Sequence, residues 1–289
     1  MNHALDRLVH GSLLLAALSS TNLHANSADL TDSTNGSAVP SQENKSVEAG
    51  STPENAPEDK PAKDDKQAVA KIQDAIIKQW KRVQTVKMTI DLEVRSRMVG
   101  DQDDLSEGGG IIEIDKRGTV RKVRADSRIN PVDAGGAAYR HRPSMLQSVI
   151  EDGEAIYTIR EAGPTKVAYK HDKGTPHFPE FAPDAIFDQL KDTMTFSYFG
   201  ESDIMDRPVT MLKATAKEGT PAYTFFFDKE TGLALKIVMD DPIRSSFFST
   251  FTCIKLELNR PIPADRFNVE IPEGVEINDQ TTTKNKPEE

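Results

Sequence analysis

Near the end of the chain two apolar runs, Tyr223-Thr-Phe-Phe-Phe-Asp228 and Leu233-Ala-Leu-Lys-Ile-Val-Met239, are separated only by Lys229-Glu-Thr-Gly232. Asp228 can accept hydrogen bonds from backbone N–H groups a few residues on, and Gly232 can take the positive φ that closes a tight turn. The segment therefore predicts a β-hairpin, and an apolar hairpin needs something to cover it. Downstream, the Leu256–Ile277 stretch predicts one more strand, then the Pro-bounded corner Pro261-Ile-Pro-Ala-Asp-Arg-Phe267 and a last Val-Glu-Ile stretch.

Upstream the period of the pattern tells helix from strand. Val69, Ile72, Ile76, Trp80 and Val83 recur at steps of three and four, the stripe of an amphipathic helix from Gln67. Val86, Met88, Ile90, Leu92 and Val94 then alternate with charged or polar neighbours, which is a strand with one buried face. Further strands are expected at 110–115, 119–125, 147–151, 155–160, 166–170, 195–200, 209–216 and 246–258, with a second helix from Asp184 to Met194 that places Ile186, Phe187 and Leu190 on one face. Short connections imply antiparallel neighbours. The expected fold is mainly β (α+β): a curved, open antiparallel β-barrel of about eleven strands, with helices covering its concave apolar face.

The N-terminal region carries a different kind of information. Residues 1–25 read as an export signal, with Arg7, the apolar run Leu13-Leu-Leu-Ala-Ala-Leu18 and a small-residue site at Leu23-His-Ala25. That run is too short to span a bilayer. Residues 26–66 hold nine Asp or Glu against four Lys and almost no large apolar side chains, so they are expected to form a disordered acidic linker. The linker supplies half of the net charge of −10, so no concentrated basic face is left for nucleic acid. The ordered domain is expected over 67–277, with a disordered tail over 278–289. The single cysteine, Cys253, lies in an apolar strand and reads as a buried thiol. With no cysteine near the cleavage site, the mature protein is expected to be periplasmic and not lipid-anchored.

Chemistry is sparse. No nucleophile elbow, zinc-protease helix, phosphate loop or dinucleotide fingerprint is present. His171, Asp172 and His177 fit no metal-ligand spacing, and Asp101, Asp103, Asp104 and Glu107 beside Gly108-Gly-Gly110 lack the alternation of a calcium loop and read as a hairpin tip. The chain is therefore read as a non-enzyme without metal or cofactor. Its candidate ligand site is the apolar face itself, formed by Val86, Met88, Ile90, Leu92, Phe225, Phe227, Leu235 and Ile237, with Trp80, Ile186, Phe187 and Leu190 as a lid. These residues either accept an acyl chain when the helices move aside or simply pack against one another.

The order of parts resembles the LolA/LolB-like superfamily. The likeness rests on a signal peptide, a helix ending near Trp80, the Val86–Arg95 strand, the Glu151-Asp-Gly-Glu-Ala-Ile-Tyr157 hairpin, the Phe227-Asp-Lys-Glu-Thr-Gly-Leu233 turn, Pro261 to Phe267 and Pro272-Glu-Gly274, and covers about 67–277. The resemblance implies an open eleven-stranded barrel whose helices plug an apolar cavity, and two kinds of role. One is periplasmic carriage of lipoproteins by their acyl chains during outer-membrane biogenesis. The other is sensing of lipids or lipoproteins in envelope-stress regulation through a membrane-protein partner. It also implies an arginine on an early strand that latches the lid, a role open to both Arg121 and Arg124.

Overall fold

A computed structural model describes residues 63–97, 103–132, 143–175, 180–217, 221–241 and 247–281. The expected export signal, the linker up to residue 62, residues 98–102 with Asp101, the loop around His177 and the tail beyond 281 lie outside them.

The described residues open with helix α1 (Lys63–Trp80), four residues earlier than the Gln67 expected from the sequence, and a short turn leads into β1 (Thr85–Arg97). Five strands follow: β2 (Asp103–Asp115), β3 (Lys122–Val132), β4 (Met145–Glu151), β5 (Ala155–Ala162) and β6 (Thr165–Asp172). Helix α2 (Pro183–Leu190) interrupts them, and β7 (Met194–Ile204), β8 (Arg207–Ala216), β9 (Ala222–Asp228), β10 (Ala234–Asp241) and β11 (Phe247–Leu258) complete the second half. A short 3₁₀ turn (Ala264–Phe267) leads to β12 (Ile277–Asp279).

Among the described residues, the twelve strands form one sheet in the order β12-β6-β5-β4-β3-β2-β1-β11-β10-β9-β8-β7. The ends, β12 and β7, are not bonded to each other, so the sheet is open. Two sequential meanders are joined through β1 and β11, which pair antiparallel from Val86↔Leu258 to Arg95↔Phe248. The twelfth strand differs in kind, because β12 runs parallel to β6. Asn278 and Asp279, assigned to the tail on composition, therefore belong to the sheet.

Several boundaries correct the sequence reading. β2 extends back to Asp103, so the Gly108-Gly-Gly110 run and its acidic neighbours lie inside a strand rather than at a hairpin tip. β3 starts at Lys122 and runs to Val132, beyond the Ala125 at which the apolar alternation stops. α2 ends at Leu190, and Met194, expected on its last turn, is the first residue of β7. Bulges at Thr89/Ile90, Tyr198/Gly200 and Ala234/Lys236 interrupt the registers, and such insertions bend the strands that carry them.

Each face of the sheet has its own cover. One row of cross-strand neighbours runs Leu92, Phe251, Ile237, Phe225, Leu212, all buried. On this face lie the two helices. On the opposite face of β4–β6, Val269, Ile271 and Val275 from the C-terminal segment pack on Ile150, Ile159 and Ala168. Arg266 fastens the same segment to Glu113 at 2.8 Å and Asp126 at 3.3 Å.

The β9–β10 turn forms as its residues predict and then does more. The Gly232 N–H donates to the Asp228 carbonyl at 2.7 Å, and Thr231 donates its N–H and hydroxyl to Asp228 Oδ2. Arg207 closes on the same buried carboxylate at 2.8 Å. Gly232 has φ 73°, and a Cβ built there would lie 2.2 Å from the Ile76 carbonyl oxygen of α1. The turn is thus the surface on which the helix sits.

Candidate functional site

The eight strand residues proposed as an apolar lining share one face and are 0–5 % exposed: Val86, Met88, Ile90 and Leu92 on β1, Phe225 and Phe227 on β9, Leu235 and Ile237 on β10. Taking each of these side chains out of water contributes about 1.5–3 kcal/mol. In this state they pack against one another and against the helices.

Aromatic rings carry the contact between helix and sheet. Phe187 of α2 meets Phe227 and Phe196 at ring-centroid distances of 5.3 Å each, and Phe225 lies 5.8 Å from Phe227 and 6.3 Å from Phe196. Of the four lid residues, Trp80 and Ile186 are buried, while Phe187 and Leu190 are partly exposed.

Phe187 is only partly covered, and it borders a groove of about 570 Å³ where α1, α2 and the start of β7 meet. Val69 and Ile77 form one wall, Phe187 the second, Met194 and Phe196 the floor; Lys66, Asp184, Asp188 and Lys191 stand at its margins. Of the twelve residues picked from the sequence, only Phe187 lines it. The signal that could have found the α1 wall is the four-residue repeat Val69, Gln73, Ile77, a row that branches from the main stripe at Val69. No comparable signal marks Met194, since its burial depends on where α2 stops.

Charges tie the helices down. Trp80 Nε1 donates to Asp184 Oδ1 at 2.9 Å, linking the end of α1 to the start of α2. Lys116 Nζ sits 3.8 Å from the centre of the Trp80 ring and donates to the Trp80 carbonyl at 2.6 Å. Burial pulls its pKa below the usual lysine range, against the opposing pull of Asp184. Arg121, one residue before β3, pairs with Glu151 at 2.9 Å, Glu180 at 3.1 Å and Asp184 at 3.9 Å. Burial alone would lower its pKa, but the three carboxylates hold it above the ordinary value. Glu180 in turn accepts the Ala182 N–H at 2.8 Å, fixing the entry to α2. Arg124, the other candidate for this role, points away to Asp126 and the Arg266 carbonyl.

Other chemistry is thin. Among the described residues no three His, Cys, Asp or Glu side chains gather as metal ligands, and His171 and Asp172 end β6 apart from the groove. Cys253 is 1 % exposed, and burial pushes its thiol up to about 11. No described helix is long and apolar enough to cross a membrane.

Fold and groove define a β-sheet protein with an apolar face on which two helices rest, tied together by buried charge. No family model matches the sequence, and no curated relative matches it significantly. Solved structures that resemble it include the MucA/MucB complex of Pseudomonas aeruginosa, at 16% identity and TM-score 0.36, with 72% of this chain and 61% of that chain covered. The LolA superfamily protein NE2245 of Nitrosomonas europaea matches at 11% identity and TM-score 0.30, covering 68% and 97%. Mycobacterium tuberculosis lipoprotein LppX matches at 11% identity and TM-score 0.34, covering 68% and 99%. The chain thus spans less than two thirds of the length of the MucA/MucB chain it matches.

Proposed function

We propose that this protein is exported to the periplasm and binds the acyl chain of a lipid or lipoprotein non-covalently, as a carrier in lipoprotein sorting. In this reading residues 1–25 are a signal peptide, the acidic segment up to residue 62 a linker and 63–279 the binding domain, a half-open barrel whose helices lie over the concave face. The observation that carries the reading is the groove bounded by Val69, Ile77, Phe187, Met194 and Phe196. It already opens toward the aromatic rings that separate it from the strand lining. Displacing α2 lifts Phe187 off Phe196 and Phe227 and joins the groove to the face bearing Phe225, Ile237, Leu92 and Ile90. Arg121 is the latch, because it joins Glu151 at the end of β4 to Glu180 and Asp184, which lie beside and on the moving segment.

The test is mass spectrometry of lipids copurifying with protein from its native envelope, repeated with Ile77→Asp and Phe225→Asp. Ile77 is only partly buried, so its charged variant keeps the fold, and loss of copurifying acyl lipid is expected; Phe225→Asp is expected to lose lipid together with stability. A folded Ile77→Asp protein that retains full lipid would overturn the groove as the entry point. A second reading, an envelope-stress interaction domain working through a protein partner, is favoured by edge strand β7, where Tyr198 and Phe199 are 50% and 56% exposed. Recovery of a stable protein partner and no lipid, lost in Tyr198→Ser with Phe199→Ser, would favour it.

A further inference from the structure

The inner face changes character along the sheet. Following cross-strand partners from Ile90, the row runs through Gly110, Ser127 and Gln147 to Arg160, so Arg160 shares a face with the apolar lining. Four inter-strand spacings of about 4.8 Å put it about 19 Å from Ile90 along the sheet. In the adjacent rows Thr158 neighbours Tyr169, and Ile156 neighbours His171, with the Tyr169 and His171 rings stacked 6.2 Å apart. Where β1, β9 and β10 present apolar and aromatic side chains, β4–β6 set Gln147, Thr158, Arg160, Tyr169, His171 and the Arg121-paired Glu151 beside Val149 and Ile156.

Arg160 is the unusual member. Its Nε donates to Gln147 Oε1 at 3.1 Å, and among the described residues no carboxylate pairs with it. Gln147 is 9% exposed and Thr158 3%, so the guanidinium stands among covered polar groups. Arg117, Arg121, Arg207 and Arg266 each face a carboxylate and have raised pKa values. Arg160 is instead drawn below its ordinary value by burial, with Tyr169 opposing weakly. A guanidinium carries five N–H donors in a planar fork suited to two oxygens of one anion, and a partly buried cation without a counter-charge is costly.

We propose that Arg160 anchors an oxyanion subsite on the inner face of β4–β6, which takes a phosphate or carboxylate group presented either by an amphiphile head or by a free ion. Gln147 orients the guanidinium through Nε and leaves its outer N–H pair for the anion. The subsite lies on the face proposed above for acyl chains, and its amphiphile form rests on that reading; its free-ion form does not.

The experiment uses the whole chain. Calorimetry compares monopalmitoyl lysophosphatidic acid with monopalmitoylglycerol, which differ by the phosphate, and inorganic phosphate alone, for wild type, Arg160→Gln and Arg160→Lys. The phosphate-bearing lipid is expected to bind wild type about tenfold more tightly than the neutral one, from charge-assisted hydrogen bonds. Arg160→Gln erases that preference, Arg160→Lys keeps part of it, and the neutral lipid binds all three alike. Inorganic phosphate binding as tightly as the lipid, and lost in Arg160→Gln, assigns the site to a free ion; phosphate binding far more weakly assigns it to a head group. No preference in wild type, or a preference surviving in Arg160→Gln, overturns the subsite while neutral-lipid binding leaves the acyl reading intact. If neither lipid binds, the acyl reading fails, and the Arg160 Nε–Hε signal in wild-type protein titrated with phosphate decides the subsite: a saturable shift supports it, and no shift overturns it.

Discussion

Replacing Gly232 with alanine strikes the place where sheet and helix touch. Two costs add. A residue with a Cβ at φ 73° pays about 1–2 kcal/mol for a left-handed conformation. The new methyl would also lie 2.2 Å from the Ile76 carbonyl oxygen and 3.1 Å from the Trp80 nitrogen, both helix backbone that no rotamer change can move aside. Shifting a packed helix to make room costs a further 1–3 kcal/mol or so, for a total of about 2–5 kcal/mol. At about 3 °C per kcal/mol for a domain of this size, the thermal midpoint should fall by about 6–15 °C. Gly274 provides the control, because it has φ 76° and nothing within 4 Å of a built Cβ, so Gly274→Ala should show the conformational cost alone. The assay is paired thermal and urea unfolding of wild type and both variants. Gly232→Ala falling no further than Gly274→Ala would refute the seating of α1 on this turn.

Other outcomes follow from the charges. Arg121→Gln removes the cation that faces Glu151 and Glu180, 8% and 5% exposed at their side chains, and should cost about 3–5 kcal/mol, read as a lower urea midpoint at pH 7. The Cys253 thiol is acidic only above its unfolded range when folded, so the folded state holds a proton that the unfolded state releases. Its stability contribution is complete below the unfolded value of about 8.5 and declines as pH rises toward about 11. Cys253→Ala should flatten the stability curve over that window, and native protein at pH 8 should react with a thiol reagent only as fast as it unfolds. Asp184→Ala removes the acceptor of Trp80 Nε1 and should cost about 1 kcal/mol while speeding uptake of a fluorescent fatty acid in stopped flow; unchanged uptake would remove Asp184 from the latch.

Strand alternation made β1 and the β9–β10 hairpin legible, because a half-buried strand writes its burial directly into period two. The Lys229-Glu-Thr-Gly232 turn was legible for the same local reason. The second half of β3 was harder, since Arg124, Asp126, Arg128 and Asn130 alternate with Ala125, Ser127 and Ile129, of which only Ile129 is large and apolar, and the strand is held by its neighbours. β12 was invisible, because a three-residue parallel strand depends on β6 and leaves no pattern of its own. The groove was only partly legible for a related reason: Met194 and Phe196 become its floor only because α2 ends at Leu190 and β7 starts at Met194. The choice between Arg121 and Arg124 likewise turned on which face each residue takes, and a one-residue offset at the start of β3 reverses the answer.

The pairing of β1 with β11 has a kinetic corollary. Thr85 Oγ1 donates to the Arg260 carbonyl across 175 residues of chain, so the middle of the sheet is stitched from the two extremities of the domain. A nascent chain therefore has no finished centre until its penultimate strand is made, and topologies with such long closures assemble slowly, over milliseconds to seconds. Deleting β11 leaves no smaller version of the protein. It converts β1, buried along one face from Val86 to Val94, into a raw margin open to any other extended segment.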